Sequence, residues 1–416
     1  MEEQVAETEE EEEIIEEDRD FAGGEGTEED PYLIKTAEHL HNIRENLDAH
    51  FKLIDDVNLE KYENWNPIGE YDFFTLMEDY PEDNKPFFGQ LDGDGHTIKN
   101  LTIDRPDTDF VGLFAYVGRD EEILRSTLHR MFYGETEVEP KIKNLNLENV
   151  DIAGNEWVGA IAGSNGIHEA DEKGEMKNIE VNGEIKGEIY VGGILGENNE
   201  GGTITQAHFT GEVRGIEDIG GVVGMNFRGN ISKSSAEASI FGEHFAGGIA
   251  GANEEGSISQ SYARGEVIGH REGDLRSRGV GGLAGHVSGG SIKNNYSIAD
   301  VKGNRNVGGF IGELWIHEET EVKYTYNSGS VSGEAETENI DSFIGKLDTG
   351  GEFHANHINQ ERYDISPILG HPQSTEEMLK EDTFTATGWN FDNIWTIEEG
   401  KTYPFFQWQD DNTSYP

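Results

Sequence analysis

The sequence predicts an all-β protein, a right-handed parallel β-helix of about eight or nine coils with short capping helices at both ends. A phrase of the form Val/Ile-Gly-Gly-x-x-Gly recurs through the middle of the chain, and a second apolar column recurs in step with it. Short strands repeated at a fixed length stack on one another, because a single repeat cannot bury its own apolar face.

The glycine phrase sets the period of the repeat. Its copies begin at Val158, Val191, Ile219, Ala246, Val280 and Val307, and a degraded relative begins at Ile340. Successive complete copies begin 27 or 28 residues, or 33 or 34 residues, apart. We infer a unit of about 27 residues that some coils lengthen with a loop.

The second column identifies the units as strands. It begins at Ile142, Met176, Ile204, Ile231, Ile258, Ile292 and Val322. Between these landmarks apolar residues alternate with polar ones, as in Leu145 and Leu147, which is the period of a strand with one buried face. Helical repeats are excluded because a glycine inside a helix costs about 1 kcal/mol relative to alanine. A propeller blade needs roughly 40 residues for its four strands.

A column of asparagines follows the glycine phrase. Asn165, Asn198, Asn226 and Asn253 each stand two residues after the last glycine of their copy. Asparagine tolerates a left-handed corner, and stacked side-chain amides can hydrogen-bond along the axis of a solenoid. We predict a structural ladder, with polar ligand binding as the alternative use of this column.

The segment Gly282-Leu283-Ala284-Gly285 displays a Gly-Leu-x-x-Gly pattern. In it the chain resembles the repeat proteins that carry the GLUG motif. The similarity extends to Phe21 to Thr27, Asp30 to Leu40, Phe87 to Ile98, and the closing Trp395 and Tyr403 to Phe405, and so spans residues 20–408. The resemblance implies a surface adhesin, a secreted protein or a viral tail component, and it implies no catalytic residue.

Four parts are predicted along the chain. Residues 1–30 are an acidic tail, disordered or held by a partner, and residues 31–100 are the N-terminal cap and first coils. Residues 101–350 are the repeats, and residues 351–416 are an aromatic-rich C-terminal cap. Caps are required because an open end of a β-helix exposes unpaired strand edges.

The N-terminal cap contains a helix signal. Thr36 is placed to cap a short helix ahead of strands at 51–59 and 65–68. The apolar face of this helix consists of Ala37, Leu40, Ile43 and Leu47. The helix is expected to plug the first coil.

The C-terminal part begins with a second helix signal. Ser374 and Glu377 have the spacing of a capping box. Aromatic residues follow at Phe384, Trp389, Phe391, Trp395, Tyr403, Phe405, Phe406 and Trp408. They predict a closing hydrophobic cap, with a sugar-stacking platform as the alternative.

The charge of the chain predicts its environment. The formal net charge is -53, from 84 acidic and 31 basic residues, and about 15 of these net charges lie in residues 1–30. The remaining excess would strain a compact fold by self-repulsion, but at molar salt the Debye length is only about 3 Å. We therefore predict a salt-loving source, with a calcium-rich surface as the alternative.

The same charge argues against nucleic acid and anionic membranes as partners. No apolar run is long enough to insert into a membrane, and the absence of cysteine excludes disulfides and thiolate metal sites. The start Met1-Glu2-Glu3-Gln4 lacks the features of a secretory signal, although the resemblance points outside the cell. Two hypotheses reconcile the missing signal with an exterior location: a trimmed mature protein, or a virion component released by lysis. The Met start favours the virion component.

One local feature is basic in this acidic chain. Arg264 stands just before the loop 269–279, which contains His270, Arg271, Arg276 and Arg278. Arginine binds carboxylates, sulfates and phosphates in bidentate fashion, so the cluster is a candidate site for an acidic glycan or a neighbouring subunit's acidic tail. The alternative is local pairing with Glu266, Glu272 and Asp274.

Two further insertions interrupt the regular pattern, at residues 71–85 and 119–140. The second has the pattern of a short amphipathic helix. It is expected either to decorate the solenoid or to contact another subunit.

The sequence contains no recognisable catalytic motif. Gly-x-Ser-x-Gly, His-Glu-x-x-His and phosphate-binding loops are absent, and no carboxylate recurs in a setting that indicates a raised pKa. Asp92-Gly93-Asp94-Gly95 is a turn signal, with a structural calcium ion as the alternative. His354 and His357 lack further ligands for zinc. We predict no cofactor and no metal site.

These features predict a non-enzymatic structural and binding protein. We expect a rigid spike or fibre, roughly 40 Å long at about 4.8 Å per coil, displayed on a virus particle. It would bind a host-surface glycan or glycoprotein and neighbouring virion or surface-layer proteins, with a homotrimer as one assembly. The alternatives are a cell-surface adhesin of a halophilic archaeon or bacterium and a polysaccharide-degrading tailspike.

Overall fold

A parallel β-solenoid of about six turns, with few helices, forms the body of the protein. The computed structural model describes residues 20–69, 85–118, 139–166, 174–269, 278–315, 320–348, 351–362, 367 and 369–409. The predicted parallel β-helix is confirmed. Six copies of the glycine phrase are complete, and the coils outside them keep only part of the repeat pattern. The regular turns are therefore fewer than the eight or nine coils expected. The right-handed winding stays a prediction.

The strands of the N-terminal coils and first repeats are β1 (Tyr32–Ile34), β2 (His50–Leu53), β3 (Val57–Asn58), β4 (Gln90–Asp92), β5 (Thr97–Lys99), β6 (Thr102–Asp104), β7 (Phe114–Val117), β8 (Lys141–Ala153), β9 (Glu156–Val158), β10 (Ala162–Asn165), β11 (Glu175–Lys186), β12 (Ile189–Gly192), β13 (Leu195–Asn198), β14 (Thr203–Arg214), β15 (Glu217–Gly220), β16 (Val223–Phe227), β17 (Asn230–Ser232), β18 (Ser235–Gly242), β19 (His244–Gly247) and β20 (Ala250–Glu254).

The remaining strands are β21 (Ser257–Ser259), β22 (Tyr262–Gly269), β23 (Arg278–Gly281), β24 (Ala284–Ser288), β25 (Ser291–Lys293), β26 (Tyr296–Ser297), β27 (Asp300–Gly308), β28 (Ile311–Trp315), β29 (Glu321–Lys323), β30 (Tyr326–Asn327), β31 (Val331–Asp341), β32 (Ile344–Leu347), β33 (Glu352–His354), β34 (His357–Asn359), β35 (His371–Gln373), β36 (Trp395–Thr396) and β37 (Phe405–Phe406).

Two parallel sheets wrap one apolar core. In the described residues the larger sheet has 27 strands, and the second sheet stacks eight in the order β32-β28-β24-β20-β16-β13-β10-β7. The apolar column stacks in register, since Ile204 pairs with Met176 on one side and with Ile231 on the other. All three side chains are fully buried. The period-two pattern therefore places the apolar face inside each coil, as predicted.

The helices are short, and two of them start at the predicted caps. They are α1 (Ala37–His41), which a 3₁₀ turn at Asn42–Glu45 extends, α2 (Thr375–Met378) and α3 (Glu381–Thr385). The Thr36 hydroxyl accepts a hydrogen bond from the His39 amide at 3.2 Å, and Ser374 and Glu377 form a complete capping box. Both caps are confirmed. Of the two strand segments expected after α1, residues 51–59 contain β2 and β3, whereas residues 65–68 form only one isolated bridge.

The glycines of the repeated phrase are required by close backbone approach. A Cβ on Gly192 would lie 2.0 Å from the carbonyl oxygen of Leu195. A Cβ on Gly196 would lie 2.5 Å from the carbonyl oxygen of Gly163 in the previous coil. Neither glycine has a positive φ angle. The phrase thus lets the backbone fold against itself and against the next coil, where any side chain would hold them apart.

The left-handed corners lie at other positions. Residues with φ angles near +50° form two stacked columns, and most of these residues are not glycine. One column is Asn144, Asn178, Gln206, Lys233, Gln260, Asn294, Tyr324 and Ala355, and the other is Phe110, Trp157, Tyr190, Asp218, Phe245, Asn306 and Asn339. The buried asparagine column is not one of these corners, because those asparagines lie within extended strands.

The buried asparagines form a chain of side-chain hydrogen bonds. Asn165, Asn198, Asn226 and Asn253 are fully buried on successive strands of the second sheet. Each of the first three donates its Nδ2 hydrogen to the next Oδ1, at 3.0, 2.8 and 2.7 Å. The same nitrogens also donate to the carbonyl oxygens of glycines in the following turn, such as Gly229. A structural ladder requires this arrangement.

The C-terminal aromatic residues are buried against the flank of the solenoid. Trp395 and Phe406 are fully buried. Both rings pack on Tyr296, which stacks between Tyr262 and Tyr326 of the neighbouring coils with ring centroids 4.9 Å apart. Hydrophobic packing therefore accounts for these rings, which lie along the side of the last coils, whereas the sequence predicted a cap that closes the end.

We predict that Asn226→Ala lowers the free energy of unfolding by about 3 kcal/mol, because buried Asn253 Oδ1 loses its hydrogen-bond donor while Asn198 Nδ2 and the Gly229 carbonyl each lose one of two partners. Chemical denaturation in molar KCl measures the change. Asn230→Ala, at an exposed position of β17, is the control and should cost less than about 1 kcal/mol. Equal costs for the two variants would contradict a stabilising ladder.

Candidate functional site

The predicted basic cluster is not one site in the described residues. His270, Arg271 and Arg276 lie outside them. Arg264 aligns with Glu237 and pairs with its Oε1 at 3.2 Å. Arg278 aligns with His244, at a different position of the coil, and its Nε lies 3.8 Å from Glu313 Oε1. Acids of neighbouring coils therefore pair with both arginines, and of the acids expected to pair locally, Glu272 and Asp274 lie outside the described residues.

One flank of the larger sheet carries a continuous column of outward side chains. In register, it consists of Asn146, Glu180, His208, Ser235, Tyr262, Tyr296, Tyr326 and His357. The C-terminal segment covers the aromatic part of this column, where the Tyr296 hydroxyl accepts from Gln409 and the Tyr326 hydroxyl donates to the Pro404 carbonyl. The part from Asn146 to His208 is open.

The open part of the column lines a groove of about 370 Å³, which we call the flank groove. Its lining consists of Thr97, Asn146, Leu147, Glu148, Glu180, Val181, Asn182, His208 and Thr210. These residues lie on β5, β8, β11 and β14, so the groove crosses neighbouring coils. Most of the lining side chains carry a hydrogen-bonding group.

Hydrogen bonds within the protein orient the groove side chains. Asn182 Nδ2 lies 3.0 Å from Thr210 Oγ1, and Asn146 Nδ2 donates to the Gly95 carbonyl at 3.1 Å. His208 Nδ1 lies 2.8 Å from Ser235 Oγ, and its ring stacks on Trp408 at 5.6 Å. Burial lowers the pKa of His208, so its imidazole is neutral near neutral pH. The groove therefore presents fixed, polar groups.

The glycine phrase builds a second outward surface, the corner face, from the residue before and the residue after each copy. The glycines at the outer positions of the phrase have no side chains. The side chains of the residue before the phrase and the residue after it can therefore contact each other. In one coil Asn306 Nδ2 donates to Glu313 Oε1 at 2.5 Å. The position before the phrase holds Trp157, Tyr190 and Phe245 in three other coils. In the coil between the last two it holds Asp218.

Asp218 is a buried carboxyl group without full hydrogen bonding. It is 8% exposed, and its Oδ1 has no hydrogen-bond partner. Burial raises the pKa of Asp218 well above its ordinary value, and the nearby carboxylates of Glu217, Glu254 and Glu197 raise it further. Burial also raises the pKa of Glu197, which follows the preceding copy of the phrase. Two carboxyl groups of the corner face thus resist ionisation.

The corner face also holds a histidine and a paired glutamate farther along the solenoid. Glu313 is fully buried and accepts from Trp315 Nε1 at 3.1 Å as well as from Asn306. The His286 ring lies edge-on to Trp315 at 4.8 Å, and burial lowers the pKa of His286 to about 4. Glu313 is therefore saturated with donors, unlike Asp218.

Sequence reasoning missed both the flank groove and the acids of the corner face. The signal for Asp218 was present, since an acid stands there at a position that is aromatic in three other coils. The sequence showed no carboxylate recurring in a setting that indicates a raised pKa, whereas burial raises the pKa of Asp218 and of Glu197, each at a single coil. Burial at a corner between coils causes the shift, and burial at that corner depends on how the coils stack.

The segments considered for metal ions have other roles in the structure. Asp92-Gly93-Asp94-Gly95 forms the predicted turn, in which the Asp94 amide donates to Asp92 Oδ1 at 2.9 Å. His357 packs on Phe384, and its Nε2 lies 2.9 Å from Thr387 Oγ1. Within the described residues, no group of three His, Asp or Glu side chains is arranged to hold a metal ion.

The fold and these surfaces define a β-solenoid protein with outward polar grooves. No family model matches the chain. A 188-residue stretch is 30% identical to halomucin of Haloquadratum walsbyi, covering 44% of this chain and 2% of halomucin. A 107-residue stretch is 38% identical to a Gly-rich membrane protein, so named provisionally, of Evansella cellulosilytica, covering 24% of this chain and 11% of that protein. The chain thus spans only a small part of either relative.

A solved structure supports the fold over nearly the whole chain. The crystal structure of a candidate immunoglobulin A1 protease from Bacteroides ovatus superimposes with a TM-score of 0.51 at 20% identity, covering 94% of this chain and 96% of that one. At this identity the likeness concerns the fold alone. No helix in the described part of this chain is long and apolar enough to cross a membrane.

We predict that Asp218→Asn stabilises the protein at neutral pH by about 1–3 kcal/mol, because it removes the cost of a buried charge at a site where Asn306 and Asn339 already occupy the equivalent position. A raised folded pKa means that protonation favours folding, so the wild type recovers this stability as the pH falls. The gain should disappear below the unfolded value of 3.8.

Thermal unfolding of the wild type and of Asp218→Asn, from neutral pH to below pH 3.8, measures the difference in stability. Asp104→Asn, at an exposed position of β6, is the control and should change little. A gain from Asp218→Asn that does not depend on pH would contradict the prediction.

Proposed function

We propose that the protein is a non-enzymatic surface protein of a salt-adapted cell, in which the β-solenoid is a rigid module that binds other molecules outside the cell. The main support for this proposal is the similarity of the chain to halomucin of Haloquadratum walsbyi. The second relative is named a membrane protein, which supports the same exterior location. Both relatives come from cellular organisms, so the comparisons favour the cell-surface alternative over the virion component expected from the Met start.

A column of like charges supports adaptation to high salt. Asp151, Glu184 and Glu212 align on successive coils, and Glu266 and Asp300 continue the column beyond Ser239. Like charges on neighbouring strands repel one another at about 4.8 Å, and Lys186 and Arg214 offset part of this repulsion by pairing with Glu184 and Glu212. Salt at molar concentration screens this repulsion. We call this set the acidic column.

The proposed location can be tested on intact cells of the source organism. A membrane-impermeant amine reagent should label the protein without lysis, because exposed lysines such as Lys61 and Lys401 lie on its surface. A cytosolic protein of the same cells serves as the control and should stay unlabelled. Labelling only after lysis would contradict a surface location, and recovery in purified virus particles would favour the virion.

We predict that the thermal midpoint falls steeply as KCl is lowered from molar to about 0.1 M, where the Debye length grows to about 10 Å. The triple variant Asp151→Asn, Glu184→Gln and Glu266→Gln should fall less, because it interrupts the acidic column. A control with the same change in net charge, Glu60→Gln, Glu63→Gln and Asp107→Asn, removes acids outside the column. Equal salt dependence of the two variants would show that alignment of the acids is unimportant.

Cleavage of a polysaccharide is a second candidate function, and one observation favours it. Glycosidases use a carboxyl group whose pKa is raised so that it can act as an acid, and Asp218 and Glu197 have raised pKa values. Release of new reducing ends from a polysaccharide, lost in both Asp218→Asn and Glu197→Gln, would establish this activity. Release that persists in the two variants would exclude these carboxyl groups as its catalysts.

A further inference from the structure

We propose that the flank groove binds a short stretch of a neutral polysaccharide. This inference rests on the proposed exterior function and adds to it the place of binding and the class of ligand. Its basis is the groove of about 370 Å³ between the covered tyrosine column and the N-terminal coils. The chemistry of the lining, its charge and its regular spacing indicate this class of ligand.

The lining supplies both donors and acceptors at fixed positions. Asn182 directs its Nδ2 toward Thr210, so its Oδ1 is left to accept a hydrogen bond from a ligand. Glu148 and Glu180 add carboxylate acceptors. His208 has its Nδ1 at Ser235, so its Nε2 is the ring nitrogen that a ligand can reach. A sugar, which both donates and accepts through each hydroxyl group, matches this mixture.

The charge of the groove excludes an anionic ligand. Two glutamates line it, and no lysine or arginine stands among the described residues of its lining. A phosphate, sulfate or uronate would therefore find no cation to pair with in the groove, and direct contact with the two carboxylates would be unfavourable. The hydroxyl groups of a neutral ligand can donate hydrogen bonds to the two carboxylates. Hydrogen bonds to a charged acceptor are stronger than those between neutral groups.

The spacing of the coils favours a polymer over a compact molecule. The groups of β8, β11 and β14 recur at about 4.8 Å, so the groove presents similar polar rows over roughly 10 Å. A chain with a regular repeat can hydrogen-bond to one coil after another.

The test is calorimetric titration of the full chain in molar KCl. The neutral probes are maltohexaose and fragments of mannan and galactan, and the acidic probe is oligogalacturonate. We expect at least one neutral probe to bind and oligogalacturonate not to bind. Glu180→Gln and Asn182→Ala should each weaken binding roughly tenfold, the change expected for a lost ligand hydrogen bond of about 1.4 kcal/mol.

Glu184→Gln is the matched control for Glu180→Gln, since both glutamates are exposed on β11 and only Glu180 lines the groove. The control should bind like the wild type. Thermal unfolding of each variant verifies that the fold is intact, because both positions point away from the core.

Three results would overturn the proposal: no binding of any neutral probe, binding that Glu180→Gln and Asn182→Ala leave unchanged, or preferential binding of oligogalacturonate. None of these results bears on the surface location, which the labelling of intact cells tests separately.

Discussion

The structure depends on the absence of a Cβ atom at the glycines of the repeated phrase. At Gly192 and Gly196 the backbone of one coil approaches a carbonyl oxygen of the same or the previous coil so closely that no side chain fits. This contact fixes where each coil turns and how it sits on its neighbour. The stacked columns, whether apolar, amide, aromatic or acidic, then follow from a register that repeats from coil to coil, with local shifts between Val181 and Gly183 and between Gly303 and Arg305.

Stacking in register makes buried polar groups tolerable. The amide ladder of the second sheet has a counterpart on the larger sheet, which consists of Ser234, Ser261, Asn295, Thr325 and Asn356. In this second ladder the Ser234 amide donates to Ser261 Oγ at 3.1 Å, and the Ser261 amide donates to Asn295 Oδ1 at 2.9 Å. Such ladders satisfy corner groups that would otherwise be costly inside a protein. Asp218 belongs to neither ladder, and one of its carboxyl oxygens has no hydrogen-bond partner.

The outer surface shows how one scaffold supports several roles. The same flank is aromatic and covered at one end, where Tyr262, Tyr296 and Tyr326 support the C-terminal segment, and polar and open at the other. The change follows from single residues at one register position, since Glu180 and His208 stand where the later coils have tyrosine. A solenoid can therefore acquire a binding groove without a change in its core, and loops need not supply every site.

The sequence alone determined the parallel β-solenoid, its period, the caps at Thr36 and Ser374, and the buried asparagine column, because these depend on spacing along the chain and on local backbone chemistry. It also indicated high salt through the net charge of -53. Spacing could not show which outward residues meet. The pairing of Arg264 with Glu237, the burial of Asp218 and the flank groove bring together residues from different coils, and only the stacking of those coils decides their distance and their exposure to water.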